Sequence, residues 1–302
     1  MARLGLCCIS LDLKERGYSF NKITYKRFSS LPRENALKVL GDKIYNNLYV
    51  TEKTIRYCAD NNLCYRMSSD LFPLITYDKV KVKLTDLPNY DFIEKMFDSI
   101  KSTINETKVR ISAHPSEYNV LASKNQMAVN KTIEELNFYS SFMDRIGCPA
   151  NHESPMNIHI RNKDGGYDEI TKRFLDNFYK LDKNCQARIV CENDDKGGGW
   201  SVKELAEHFY PKTNICITFD YLHHKCNPDG LDERSAFNLS HQTWDCVPLF
   251  HYSESKEGNN PRAHADYAIN SFEIYQDCDI DFELKQKCKA ISRYKEMYKI
   301  FN

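Results

Sequence analysis

Apolar residues recur along the chain in short runs of β-formers, separated by longer stretches with a helical period. The runs are RLGLCCIS (3–10), CYRMSS (64–69), KVRISAHP (108–115), MNIHIRN (156–162), ARIVCEND (187–194), NICITFD (214–220), VPLFHYSES (247–255) and DIDFEL (279–284). Between them, residues 34–62, 90–104, 128–147, 169–181 and 201–209 read as helices, and residues 285–301 close the chain with another. Shorter helices are expected over 231–241 and 264–276, where the periodicity is loose. Eight strands alternating with helices predict an α/β protein, a single (β/α)8 TIM barrel over residues 1–302. The connection 70–90 is long for a compact domain, and it falls on the side of the barrel where sites form.

Alternation within the strands assigns faces. The more apolar set of each strand faces the helices and the other set faces the barrel interior. His114, His159, Glu192, Asp220, His251 and Glu283 then point inward, each near the C-terminal end of its strand, where barrel active sites are built. His223 and His264 lie on loops at the same end. The stretch ITFDYLHHKCNPDG (217–230) shows the pattern best: an apolar strand ends on Asp220, and His223 and His224 follow at once. One such histidine is ordinarily a packed core residue. Eight ligand-type side chains at one mouth are different, because five imidazoles and three carboxylates packed without a cation leave repulsion or unsatisfied polar groups. Nitrogen and oxygen donors of this kind suit divalent transition metals. Glu192 is central and can bridge. The expected division places His114, His159 and Glu192 on one ion, Glu192, Asp220, His251 and Glu283 on a second, and His223 with His264 on a weaker third.

Composition adjusts this picture only slightly. The net charge is zero, but residues 1–50 hold nine Lys/Arg against four Asp/Glu, and residues 285–302 hold six against one. Two basic ends and an acidic middle fit a carboxylate-rich site beside surfaces able to touch phosphate, although lysine-rich termini are also ordinary solvated faces. The 12 cysteines include no C-x-x-C pair, and those in apolar runs, such as Cys191 and Cys216, read as reduced buried hydrophobes. The amino-terminal stretch lacks the pattern of a secretion signal, and no apolar run is long enough to cross a bilayer. A monomer inside the cell, cytoplasmic or nuclear and without membrane association, is the expectation.

Several motifs, in their order along the chain, resemble those of UV damage endonucleases: RLGLCCISL at the start, AHPSEY (113–118), NIHIRN (157–162), CEND (191–194), DYLHHKCNP (220–228), HYSES (251–255), AHAD (263–266) and FELKQK (282–287). The resemblance spans nearly the whole chain. It implies a metal-dependent barrel related to the endonuclease IV class, acting on damaged double-stranded DNA. The implied reaction is a nick 5′ of pyrimidine photodimers and abasic sites by metal-activated water. Two to three divalent ions are implied, manganese foremost, with zinc or magnesium as alternatives. Residue by residue, the eight ligands above match the family's metal positions, with Glu192 bridging the reacting centre. Lys285 matches a basic residue beside the last ligand and is assigned to the scissile phosphate. Glu117 and Tyr118 match a Gln-Tyr pair that wedges into the duplex, and Leu6 and Ser10 match lesion-holding positions occupied by tyrosine and asparagine in some relatives. Leu249 stands where relatives can carry a carboxylated lysine, which puts the third ion in question. Rival readings are an abasic-site endonuclease without photoproduct activity, a xylose isomerase-like sugar isomerase, and a damage-binding protein without catalysis.

Overall fold

The computed structural model describes residues 2–116, 120–161, 163–256 and 260–298. Eight strands form one sheet: β1 (Leu4–Cys7), β2 (Leu63–Met67), β3 (Ile111–Ala113), β4 (Met156–Ile158), β5 (Ile189–Glu192), β6 (Ile217–Thr218), β7 (Leu249–Tyr252) and β8 (Asp279–Phe282). Their order is β6-β5-β4-β3-β2-β1-β8-β7, and every pairing between neighbours is parallel. The circle closes between β6 and β7 through a parallel bridge from Asp220 to His251, with the His251 N–H donating to the Phe219 carbonyl at 2.9 Å. Two of the expected ligands therefore sit on the closing seam itself.

Seven of the eight strands lie inside the segments expected of them, and β2 starts one residue early, at Leu63. The major helices fall on the expected stretches with ends shifted by at most three residues: α3 (Arg33–Asp60), α4 (Tyr90–Thr107), α5 (Gln126–Arg145), α6 (Tyr167–Phe178), α11 (Glu233–His241) and α12 (Lys287–Tyr298). Short helices not expected from the pattern are α1 (Leu11–Glu15), α2 (Tyr25–Ser29), α7 (Lys183–Gln186) and α10 (Tyr221–Cys226). The helix after β5 is interrupted: α8 (Val202–Glu204) passes through a π turn, Leu205–Phe209, into α9 (Tyr210–Thr213). Pro211 has no N–H to continue the α ladder, which is why the register slips there.

The helix expected over 264–276 does not form. The Glu254 carboxylate takes the backbone N–H groups of Ile269 (3.0 Å) and Asn270 (2.9 Å), donors a helix would have needed. Ahead of it, Ala265 N–H donates to Glu254 O at 2.8 Å and Lys285 N–H to Ala265 O at 3.0 Å, so the segment runs alongside the mouth as an extended strap. The long connection 70–90 is likewise pinned. Phe72 is buried among Phe97, Phe138, Tyr139 and Phe142 in edge-on contacts, and Asn47 Nδ2 donates to the carbonyls of Asp70 and Leu71, each at 3.2 Å.

Inside the barrel the side chains stack in layers. At the bottom, Asp279 accepts from Arg3 Nη2 at 2.7 Å and from Arg110 Nη1 at 3.0 Å. Above it, Asp281 lies fully buried over Gly5, where a Cβ would come within 2.0 Å of Asp281 Oδ1. Ser112, Asn157, Val190, Thr218 and Leu249 complete this level. The topmost level is the cluster of histidines and acids.

Candidate metal centre

Glu192, at the end of β5 and 1% exposed, is the hub. Its Oε2 lies 3.3 Å from His114 Nε2, 3.6 Å from His159 Nε2 and 3.2 Å from His251 Nδ1, and its Oε1 lies 3.0 Å from His223 Nδ1. Asn157 Nδ2 also donates to Oε2. Burial pushes the Glu192 carboxyl up, but the surrounding imidazoles outweigh it and hold it well below the ordinary range. The converse holds for His251. Burial lowers its pKa, yet Glu192 and Glu283 push it up to about 9. His223 is raised in the same way, by Asp220, Glu192 and Glu283 against the effect of burial. The cluster therefore draws positive charge into a buried place, and protons are the simplest cations to supply it.

Three overlapping sets bring ligand atoms within 4.8 Å of one another: His114, His159 and Glu192; Glu192, Asp220 and His223; Asp220, His251 and Glu283. The first set groups the three residues expected together, and the third joins most of the expected second group. His223 departs from expectation, since it groups with Glu192 and Asp220 and not with His264. The cause is α10. Asp220 caps this helix by accepting the His223 N–H at 2.7 Å, which swings the His223 ring one turn on and back over the strand ends. His224 points the other way, buried 5.5 Å from the Phe219 ring, and is a packing residue. His264 sits at the edge, its Nδ1 2.7 Å from the Glu283 carbonyl and 3.8 Å from Glu283 Oε2.

The donor set fits divalent ions on structural grounds. Asp220 Oδ2 and His251 Nδ1 are buried with no hydrogen-bond partner among the described residues. Buried polar atoms left open at one place are what a cation satisfies. Asp220 is held above its usual pKa by burial and by the Glu192 and Glu283 charges, a repulsion that an ion would relieve.

The remaining expected residues fare unequally. Lys285 is exposed, two residues beyond Glu283. Leu6 is 0% exposed and offers no surface to a ligand; it shares the helix-facing side of β1 with Leu4. Ser10 is buried, accepts the Leu13 N–H as cap of α1 at 3.3 Å, and donates to Cys288 Sγ at 3.5 Å. It nevertheless lines a cavity of about 340 Å³ with Lys14, Lys22 and Lys287. Glu117 and Tyr118 lie outside the described residues. Leu249 forms part of the wall beneath the cluster and is 3% exposed. Neither nearby acid stands in for the carboxylated lysine: Glu254 is engaged by backbone N–H groups and Asp266 is exposed.

Sequence reasoning missed Arg66, Asn157 and Asn193. Arg66, buried at the end of β2, pairs with Glu283 and holds its carboxyl well below the ordinary range against the effect of burial. Asn193 exchanges two hydrogen bonds with the Asp220 backbone, at 2.8 and 3.2 Å, fixing β6 against β5. The same alternation that found the histidines also turns Arg66 and Asn157 inward.

The closed parallel barrel defines the chain as an α/β-barrel protein, a fold met in both nucleases and sugar epimerases. Solved structures reflect this. The chain superposes on endonuclease IV from Thermus thermophilus with a TM-score of 0.60 at 12% identity, covering 98% of this chain and 97% of that one. It superposes on the E. coli 3-keto-D-glucoside 4-epimerase YcjR with a TM-score of 0.58 at 8% identity, covering 98% and 97%. Those likenesses establish the fold alone. The sequence is more specific: residues 2–301 match the UV-endonuclease UvdE model, and the chain belongs to that family. It is 29% identical over 306 residues to the UV DNA damage endonuclease of Nostoc sp. (strain PCC 7120 / SAG 25.82 / UTEX 2576), covering 98% of this chain and 90% of the relative. The crystal structure of SacUVDE matches with a TM-score of 0.82 at 29% identity over 99% of this chain and 100% of that one.

Proposed function

We propose that this protein is a metal-dependent endonuclease that cuts a DNA strand beside ultraviolet damage. The observation that carries the reading is the set of three overlapping ligand groups at the barrel mouth, with Glu192 common to two of them, in a chain of the UvdE family. His114, His159 and Glu192 would hold one ion, and Asp220, His251 and Glu283, with Glu192 between, a second. His223 would complete the coordination from α10, and His264 would stand at the periphery. Divalent ions, manganese by family resemblance, would supply a water nucleophile at neutral pH and offset charge on the phosphodiester.

The chain's own residues do the rest. Asn157 fixes the Glu192 carboxylate by donating to Oε2. Arg66 keeps Glu283 ionised at the mouth. Lys285, exposed two residues beyond Glu283, would meet the phosphate. Described lysines from both basic segments reach one side of the mouth. Cys288 on α12 accepts from Ser10 Oγ and the Leu11 N–H at the start of α1, and Lys289 pairs with Glu15. Lys14, Lys22 and Lys287 line the 340 Å³ cavity there, within the size range of ligand pockets. This surface suits a DNA backbone or an extruded nucleotide. Glu117 and Tyr118 are proposed as the duplex wedge on family resemblance.

The test is incubation of the purified protein with ultraviolet-irradiated, abasic and intact plasmid, with and without EDTA. Nicking of irradiated plasmid, abolished by EDTA, is expected. Nicking of abasic plasmid alone would favour the abasic-site reading, and full activity in EDTA would refute metal dependence.

A further inference from the structure

The five imidazoles of the mouth are not held alike. His114, His223 and His264 each set Nδ1 near a backbone carbonyl, that of Pro115 at 3.1 Å, Asn193 at 2.9 Å and Glu283 at 2.7 Å. His251 Nε2 stands 3.8 Å from Asp281, beyond hydrogen-bond range. His159 is backed by a carboxylate at close range. Its Nδ1 lies 3.2 Å from Asp194 Oδ1, while Nε2 faces Glu192 Oε2 at 3.6 Å. Both His159 and Asp194 are buried. Nδ1 has no hydrogen-bond partner in this arrangement, yet at 3.2 Å the carboxylate oxygen stands at the distance where one forms.

Asp194 is itself fixed by the loop after β5. Its Oδ2 accepts the Trp200 N–H at 2.9 Å, its own N–H donates to the Trp200 carbonyl at 2.8 Å, and its carbonyl accepts from Asn227 Nδ2 at 3.2 Å. Gly199 leaves the room: a Cβ there would fall 2.3 Å from Asp194 Cβ and 2.6 Å from its Oδ2. The loop is folded around this carboxylate, and the carboxylate is aimed at the back of a ligand.

We propose that Asp194 is a positioning residue of the metal centre, holding the His159 proton on Nδ1 so that Nε2 presents its lone pair to the ion shared with His114 and Glu192. The inference rests on the reading above that this group holds a metal. A neutral imidazole carries one proton, and the partner of one ring nitrogen decides which nitrogen is left to bind an ion. Asp194 is the group among the described residues that favours the ligating tautomer over the other.

Asp194→Asn makes a sharp test. The Trp200 N–H claims one side of the group, so the amide oxygen of the variant must sit there. The amide NH2 then faces His159 Nδ1, which must accept. The imidazole proton moves to Nε2, toward Glu192 and the ion. Size and the Trp200 bond are kept, and ligation is lost. Manganese affinity, read by equilibrium dialysis with metal analysis, is expected to fall by roughly 10–100-fold for one equivalent, the usual effect of removing a ligand's hydrogen-bond partner. NMR of the metal-free, histidine-labelled variant should show the His159 proton on Nε2, and the metal-free melting temperature should match wild type. Gly199→Ala, which displaces Asp194 without changing a polar group, should show the same metal deficit. Wild-type manganese affinity in both variants, or an unmoved tautomer, would overturn the proposal. So would a metal-free melting temperature that falls as far as the metal-loaded one, since Asp194 would then serve only the fold. A wild-type protein that binds no manganese would instead remove the reading on which this one stands.

Discussion

Glu192 is surrounded by His114, His159, His223 and His251 and has almost no exposure, so its charge is the quantity that holds the centre together. Glu192→Gln keeps the volume and an oxygen for Asn157 but removes the anion. Loss of an outer partner of a ligand typically costs 10–100-fold in metal affinity or activity, so loss of the shared ligand should cost at least on the order of 100-fold in nicking. Metal content after gel filtration should fall in parallel; retention of wild-type metal and rate would show that Glu192 is a packing residue. At this scale the sequence was readable where a side chain's face follows from alternation, as for His114, His159 and Glu192. It was misleading at Leu6. Leu6 shares its face with Leu4 and is buried against the helices, so alternation already opposed the lesion-binding role that resemblance assigned. His223 and His224 could not be told apart from composition. The cap formed by Asp220 decides which ring turns to the acids, and a cap is visible only once a helix is known to start there.

Among the elements, α10 couples fold and site most directly, because one residue is both its N-cap and an expected ligand. Asparagine caps helices about as well as aspartate, whereas alanine loses about 1 kcal/mol. Asp220→Asn should therefore leave α10 intact. It also removes a buried acid that Glu192 and Glu283 repel, so the metal-free variant should melt at or above the wild-type temperature while binding metal more weakly. Asp220→Ala should lose both helix stability and metal. Equal metal binding by wild type and Asp220→Asn, measured by calorimetric titration, would exclude Asp220 as a ligand. The eight strands were legible because each combines β-formers with period-two alternation, a signal that survives even in the two-residue β6. The segment 264–276 was not. Its apolar spacing suits a helix, but the acceptor that captures its backbone donors, Glu254, comes from another part of the chain. No local pattern reports a non-local partner.

At the scale of the whole molecule the two ends of the barrel carry different electrostatic tasks. At the mouth, the basic amino- and carboxy-terminal segments meet around the cavity lined by Lys14, Lys22 and Lys287. If they follow a DNA backbone, Lys14→Ala with Lys287→Ala should weaken binding to damaged and intact duplex alike and flatten the salt dependence, by about 0.9 in logarithmic slope for each phosphate no longer neutralised. An unchanged slope would place the DNA elsewhere. At the opposite end, buried Asp279 joins half-buried Arg3 and buried Arg110 in a plug that takes no part in the site. Burial alone would raise the Asp279 carboxyl, but hydrogen bonds and charge from the two guanidinium groups outweigh it and hold it below its ordinary value. A carboxylate with a depressed folded-state pKa adds stability that is fully present above its unfolded value, about 3.9, and is lost as pH falls through the folded value. Asp279→Asn should accordingly lose about 3–5 kcal/mol at neutral pH, the usual cost of stripping one partner from a buried ion pair. The gap to wild type should close below about pH 4, as the wild-type carboxyl itself takes up a proton. Metal affinity should not change, since the substitution lies at the far end of the barrel. Urea unfolding at neutral and acid pH, beside a manganese titration, checks both parts. A gap that stays constant with pH would mean that the loss is one of packing, and a fall in metal affinity would mean that the two ends of the barrel are coupled through Asp281 and Arg66.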